Sequence, residues 1–405
     1  MADYDVIVVG AGSMGMAAGY FLAKAGKKTL MIDAFSPPHS WSSHEGDTRY
    51  ISAASGEGGP YVPLTLRSIE FYDELQEKSS EQLIAKNGAL TFGLPESKFV
   101  ATAIESAKDF DIEVEYFPNG KAFNERWPDL QFPDNIHGIL EPNSGILSLP
   151  SIIRVFRLNA LREGAELLTN NPVLDLKVED DEVTVVAKDG TYTAEKVILS
   201  AGPYMNKILE MVGLDLNLEV SRRVIGWFDS DIESYSIDAF PSFYGDTEIG
   251  VYYGFPSIRE FGFKIGKFYE PDDLEPWADD LEPEYINKDF GAFKRDEREL
   301  RKFLAEYMPG ANGHIMDSEV GMWTNTSDEN YVIDFHPEHD NVIIAAGFSG
   351  NGAKAVPAVG EILSQLAIKG ESDLDISEFS ATREALKIGF SDMEESLTFG
   401  NLKNI

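Results

Sequence analysis

The chain has no cysteine in its 405 residues. That absence excludes disulfides, thiolate nucleophiles and cysteine metal sites together, and it is compatible with a reducing interior, so the cytoplasm is the expected location. Long apolar runs are missing too. No stretch reaches the roughly eighteen consecutive apolar residues of a membrane span, so none is expected. The N-terminus enters a predicted strand at Asp5 without a basic segment followed by an apolar one, which argues against a secretory signal. Basic residues are scarce. With 34 Lys and Arg against 69 Asp and Glu, the net charge is −35, and such a surface repels phosphates, so nucleic acid is not an expected partner. The densest acidic stretch, "EPDDLEPWADDLEPE" (270–284), reads as solvated surface rather than a cation site. No His/Asp/Glu cluster has ligand spacing, so no metal is expected. Internal repeats are absent.

What is present is an ordinary globular composition, 43% hydrophobic, and a length that suits one large core or two interleaved ones. The chain opens with "DYDVIVVGAGSMGMAAGYFLAKAGKKTLMIDA". An apolar strand over Asp5–Val9 leads into Gly10, Gly12 and Gly15 at G-x-G-x-x-G spacing. Gly10 is expected to make the tight turn, Gly12 to let the backbone approach a pyrophosphate, and Gly15 to let the helix lie against the strand. A helix is predicted from Ser13 to Ala25, ended by Gly26 as a left-handed cap. A second strand ends in Asp33, whose carboxylate can accept hydrogen bonds from a ribose diol. The acid disfavours a 2′-phosphate and leaves NAD or FAD; the N-terminal placement followed by long insertions is more typical of FAD.

Two later stretches belong with this unit: "EKVILSAGPYMNKIL" (195–209), ending its strand near Ala201 and Gly202, and "NVIIAAGFSGNGAKAVPAVGEILSQLAI" (341–368), a strand, a glycine-rich turn and an amphipathic helix. A helix beginning near Ala353 would aim its positive end at whatever sits by Gly350 and Gly352, which suits the electron-rich side of a reduced flavin.

At "SSHEGDTRY" and "GPYVPLTLRSIEFYDEL" the chain resembles the monomeric sarcosine oxidases and their relatives, the N-methyltryptophan and fructosyl-amino-acid oxidases. The resemblance continues through "LEPNSGIL", "VYYGFPSIREFGFKIG", "EYMPGANG", "VIDFHPEHDNVIIAAGFSG" and "DISEFSATREALK". It implies an α/β (α+β) two-domain fold, a Rossmann-like FAD-binding domain with an interleaved antiparallel-sheet substrate domain. The expected division is 1–80, 150–215 and 320–385 for FAD, 81–149 and 216–319 for substrate, and a tail over 386–405. It also implies oxidation of a secondary amine to an imine, with O₂ reduced to H₂O₂, by a monomer.

Residue by residue, the resemblance places Arg49 and Lys264 on the flavin, with Lys264 activating oxygen, because a fixed ammonium stabilises the charge of nascent superoxide. His44 to Arg49 form a loop over the cofactor, with Asp47 and Thr48 as polar supports. Ser13, Met14, Ala34, Val173 and Gly347 complete the expected cofactor set. Lys354 is expected at the cofactor and on the substrate carboxylate; Tyr253, Tyr244 and Ser52 are expected on the substrate side.

The departures are specific. Gly321 stands where the family attaches its flavin through cysteine, so the FAD is expected to be non-covalent. Ser52 replaces a carboxylate-binding arginine, Glu45 and Phe268 replace histidines, and Tyr244 replaces a methionine. With serine at 52 sarcosine is expected to be a poor substrate, and Tyr50, Tyr244 and Phe268 add aromatic surface that favours a bulkier or less carboxylate-dependent amine; Arg259 could supply a replacement charge, although a solvated arginine is the plainer reading. The expected function is therefore an FAD-dependent oxidase of N-methyl or other N-alkyl amino acids. The alternatives are a deglycating fructosyl-amino-acid oxidase, a flavin-dependent amine dehydrogenase, or a flavin-binding protein without turnover.

Overall fold

Residues 2–258, 261–268, 288–292 and 294–387 are described by the computed structural model. The apolar run at the start forms strand β1 (Tyr4–Val9), followed by helix α1 (Ser13–Lys24) and strand β2 (Thr29–Ile32). Four of the six β1 residues are buried, as a strand covered on both faces requires. Gly26, at φ +80°, ends the helix as its left-handed cap.

β1 is an interior strand of an eight-stranded sheet. It pairs in parallel with β2 on one side and with Gly190–Leu199 on the other, so Tyr4 lies opposite Ala194 and Val9 opposite Leu199. Beyond β2 lies Glu166–Leu168, and beyond Gly190–Leu199 lie the antiparallel pair Val173–Val178 and Val183–Ala187. The strand His339–Ala346 also joins Gly190–Leu199 in parallel, and Val332–His336 pairs antiparallel to it. α1 packs with helices Leu149–Arg162 and Val356–Lys369 over one face of the sheet. A second apolar cluster, including Ile7, Leu30 and Val197, fills the other face. This is the Rossmann-like arrangement the opening motif predicts.

A second eight-stranded sheet runs in the order Ile315–Asn325, Glu219–Phe228, Phe263–Lys267, Gly250–Phe255, Ser242–Thr247, Ala89–Gly93, His137–Glu141, Glu115–Phe117. Its neighbours are antiparallel except Ser242–Thr247 with Ala89–Gly93, which is parallel; the expected antiparallel sheet is therefore mixed. Phe92, Phe243, Phe263 and Phe303 pack its aromatic core under helix Arg295–Tyr307. A buried ion pair, Arg222 to Asp296 at 2.8 Å, ties that helix to the sheet.

The sequence did not announce a third, three-stranded sheet: strand β3 (Thr48–Ile51) pairs with Gly145–Ser148, which pairs with Ile84–Ala85. It positions Arg49 and Tyr50 between the two larger sheets. The acidic stretch from 270 to 284, Arg259, and the tail beyond Lys387 lie outside the described residues.

Candidate active site

The glycine-rich turn after β1 is shaped by close backbone contacts. Gly10 sits at φ +89°, and a Cβ there would stand 2.6 Å from the Ser200 carbonyl oxygen. A Cβ on Gly15 would overlap the carbonyl oxygen of Gly10, so α1 can approach β1 only with glycine at 15. At Gly12 the nearest atom to such a Cβ is His44 Nδ1 at 4.0 Å, which leaves that backbone open to a ligand. The turn opens onto a crevice of about 720 Å³. That volume is in the range of cofactor pockets.

Gly10, Gly12, Ser13, Met14, Asp33, Ala34, His44, Arg49, Val173, Gly202, Gly347, Gly350 and Gly352 all line this crevice. Gly15 and Thr48 do not; they act behind its wall. The Asp33 carboxylate accepts the N–H groups of Ala11 and Phe35, each at 2.8 Å. A carboxylate has about four lone-pair sites, so capacity remains for a ribose diol. His44 is buried, accepts the His39 N–H on Nε2 at 3.0 Å, and burial lowers its pKa to about 3. A neutral imidazole therefore faces the crevice.

A helix starting near Ala353 was expected. Instead a short 3₁₀ turn spans Gly352–Ala355 and the α-helix begins at Val356. Pro357 explains the shift, since proline is tolerated in a first turn and not further in. The turn leaves Lys354 out of the crevice and in the lining of a second, smaller cavity of about 60 Å³. Lys354, expected at the cofactor as well as on a substrate carboxylate, is therefore not among the crevice residues. Arg49, Trp323, Gly350 and Ala353 line both spaces and mark where they meet.

The smaller cavity gathers Ser52, Tyr244, Tyr253 and Lys354, the four residues expected on the substrate side, together with Tyr50, Glu45 and Phe268; Lys264, expected with Arg49 at the cofactor, lines this cavity and not the crevice. Its walls are aromatic: Tyr244 stacks on Phe99 at 3.9 Å and meets Phe268 edge-on, and Phe268 meets Trp323 at 4.9 Å. Lys264 is buried. Its Nζ donates to the Thr48 carbonyl at 2.9 Å and to Thr48 Oγ1 at 3.2 Å, and lies 4.8 Å from the Phe255 ring centre. Burial, then the Arg49 charge, lowers its pKa to about 7. The Arg49 guanidinium donates to the carbonyls of Thr48, Ser43 and Glu45, which fixes the loop before β3.

Three acidic residues of this region were not assigned such contacts from sequence. Glu57 lines the cavity and holds Lys354 in an ion pair of 2.5 Å. Burial opposes ionisation of Glu57, yet the Lys354 ammonium and the Ser55 hydroxyl hold its carboxyl below the usual range. Behind the wall, Glu141 accepts the Ser52 hydroxyl at 2.8 Å and the N–H groups of Ala53 and Ala54. Glu45 turns its carboxyl into the space beside Gly321, where a Cβ would overlap it. Only the short segment "SGEGG" hints at Glu57; nothing local marks the other two contacts.

The crevice, the glycine turn and the acid at the end of β2 coincide with a match to the family model described as FAD dependent oxidoreductase, over residues 5–366. The chain belongs to that family. Among relatives of this FAD-dependent oxidoreductase, monomeric sarcosine oxidase of Bacillus sp. (strain B-0618) is 48% identical over 386 residues, covering 95% of this chain and 97% of the relative. N-methyl-L-tryptophan oxidase of Salmonella heidelberg (strain SL476) is 34% identical over 381 residues, 94% of this chain and 99% of the relative. Among solved structures, glycine oxidase of Geobacillus kaustophilus aligns with a TM-score of 0.77 over 95% of this chain and 99% of the other, at 20% identity. No helix among the described residues is long and apolar enough to cross a membrane, and no group of three metal-ligating side chains occurs among them.

Proposed function

We propose that this FAD-dependent oxidoreductase oxidises N-methyl or other N-alkyl amino acids to the imine and produces H₂O₂, as a cytoplasmic monomer holding its FAD without a covalent bond. The single observation that carries the reading is the junction of the two spaces at Arg49, Trp323, Gly350 and Ala353, with Lys264 and Lys354 both in the smaller one. The crevice suits FAD on structural grounds: open backbone at Gly12, a carboxylate at Asp33 and a neutral His44. Non-covalent retention is supported by Gly321, at the position where the family carries its flavin-linking cysteine, and by the absence of any thiol. The cofactor part is assigned to 1–80, 150–215 and 326–385, and the substrate part to 81–149 and 216–325, because the boundary expected at 320 would cut the strand Ile315–Asn325 of the second sheet.

FAD, when bound, would supply the two-electron acceptor for the amine and the two-electron donor for O₂. The chain's own groups do the rest. Lys354 receives the substrate carboxylate, which must compete with Glu57 for the ammonium. Tyr244, Tyr253 and Phe268 close the cavity around the N-alkyl group and exclude water, which strengthens every charge contact inside. Lys264, held by Thr48, places positive charge where oxygen is reduced. The overall balance is loss of two electrons and two protons by the amine and their gain by O₂.

The bulky Tyr244, Tyr253, Phe268 and Trp323 that line the smaller cavity favour a small N-alkyl amino acid over a fructosyl one. A peroxide-coupled screen of sarcosine, larger N-methyl amino acids and N-fructosyl amino acids tests this. Turnover of N-methyl amino acids with stoichiometric H₂O₂ is the expected result. Flavin that bleaches anaerobically with the amine but fails to reoxidise in air would make the protein a dehydrogenase. No bleaching with any secondary amine would remove the amine reading itself.

A further inference from the structure

Glu45 is the buried acid that the mechanism above leaves unused. Only 8% of its surface is exposed, and its carboxyl fills the room that any side chain at position 321 would take. Its Oε2 has no hydrogen-bond partner among the described residues, although Glu45 lines the smaller cavity with Lys264. A buried carboxyl oxygen without a donor is costly, on the order of 1–3 kcal/mol or more. Such an atom needs a function or a ligand.

The matching vacancy lies on Lys264. Its ammonium has three protons, and the acceptors on Thr48 take two of them. The Lys264 Nζ packs over the backbone of Gly46, the residue after Glu45: a Cβ at 46 would stand 3.0 Å from it. The third ammonium proton meets only the ring faces of Phe255 at 4.8 Å and Trp227 at 5.3 Å, so an ammonium with no oxygen for that proton and a carboxyl oxygen without a donor share one small cavity, on neighbouring pieces of chain.

We propose that Glu45 is a positioning residue for Lys264: its carboxyl, admitted by Gly321, is the counter-charge that keeps the Lys264 ammonium protonated for the reaction with oxygen. The inference rests on the oxidase reading above. The surroundings support a coupled pair. Around Glu45 the facing charges are Arg49 at 3.9 Å on β3, Lys264, and Lys288. Around Lys264 they are Arg49, Asp47, Glu45 and Glu319, the last of which accepts the Gly46 N–H at 2.5 Å. Burial pushes the Glu45 carboxyl up and the Lys264 ammonium down, each toward its neutral form; the charge of each opposes that shift in the other, so the two titrate as a pair. No bond to carbon changes here. The pair sets only where one proton resides before O₂ takes up its two electrons and two protons.

The test is the pH profile of the oxygen half-reaction, measured by stopped flow on holoenzyme reduced anaerobically with its amine. Glu45→Gln keeps shape and removes charge, so the midpoint above which reoxidation slows should fall by about one pH unit, a roughly tenfold loss of proton affinity at Lys264. Glu45→Asp should restore most of it. Gly321→Ala, which leaves Glu45 in place but evicts its carboxyl, should reproduce the fall. FAD content and melting temperature, read on the same samples, separate this role from a packing role. A midpoint unchanged in Glu45→Gln at full FAD content, or one that rises, overturns the proposal. Failure of wild-type reduced enzyme to react with O₂ would instead sink the oxidase reading. If both variants lose FAD, the wild-type profile decides: two apparent pKa values support a coupled pair, and a single step overturns it.

Discussion

Replacing Glu57 by Gln should make the enzyme bind carboxylate substrates more tightly while weakening the fold. In the structure Lys354 is already engaged, 2.5 Å from the Glu57 carboxylate and 3.2 Å from the Ser55 hydroxyl. A substrate carboxylate must displace that contact. A charge-assisted hydrogen bond is worth about 1.5–3 kcal/mol. Removing the competitor should thus lower KM for sarcosine roughly ten- to a hundredfold, with a smaller change in kcat, because the contact serves ground and transition states alike. The cost appears in the free enzyme. A buried cation left without its counter-charge typically destabilises by about 3–5 kcal/mol, so the melting temperature should fall by several degrees and recover on adding a non-oxidisable carboxylate analogue. Steady-state kinetics and thermal melts with and without the analogue are the assays. A higher KM for sarcosine would mean that Glu57 itself holds the substrate's ammonium, and it would refute the assignment of Lys354 to the carboxylate.

Lys264→Met should slow reoxidation by O₂ far more than anaerobic reduction by amine; equal losses in the two half-reactions would count against the oxygen role. In the unaltered enzyme reoxidation should be fast below pH 7 and decline as pH rises through about 7, where Lys264 loses its proton. Acid precipitation should leave all flavin in the supernatant, and yellow pellet would show a covalent link. Gly15→Ala should abolish FAD retention, measured by absorbance after gel filtration, because the added carbon collides with the Gly10 carbonyl.

The cofactor half of the molecule was legible because its signals are local. A strand, three spaced glycines, a helix stop at Gly26 and an acid at Asp33 lie within one continuous stretch, and each is dictated by backbone geometry. Even there the start of the later helix was misplaced, since Pro357 decides it and the glycines draw the eye. The smaller cavity was legible only through resemblance, which grouped Ser52, Tyr244, Tyr253 and Lys354 before any contact was known but set Lys264 apart from them, at the cofactor. Its energetics were not legible. Whether Lys354 is free or held depends on Glu57, far away in sequence, and the meaning of Gly321 depends on Glu45 across the sheet. Such pairings are tertiary facts with no periodicity to announce them.

The interior position of β1 has a consequence for how the protein is made. Its neighbour on one side is Gly190–Leu199, and that strand in turn needs Val342–Ile344 to complete its pairing. At 5–20 residues per second, the ribosome delivers His339–Ala346 on the order of tens of seconds after β1 has emerged. During that interval an apolar strand waits with an open edge, exposed to wrong pairing and to aggregation. Capture of FAD belongs to the end of synthesis, since Gly347, Gly350 and Gly352 are among the last parts of the crevice to appear. Release from the ribosome, chaperone protection of the early strand and supply of FAD are therefore coupled for this chain, and overexpression without flavin should yield apoprotein or inclusion bodies rather than a stable half-molecule.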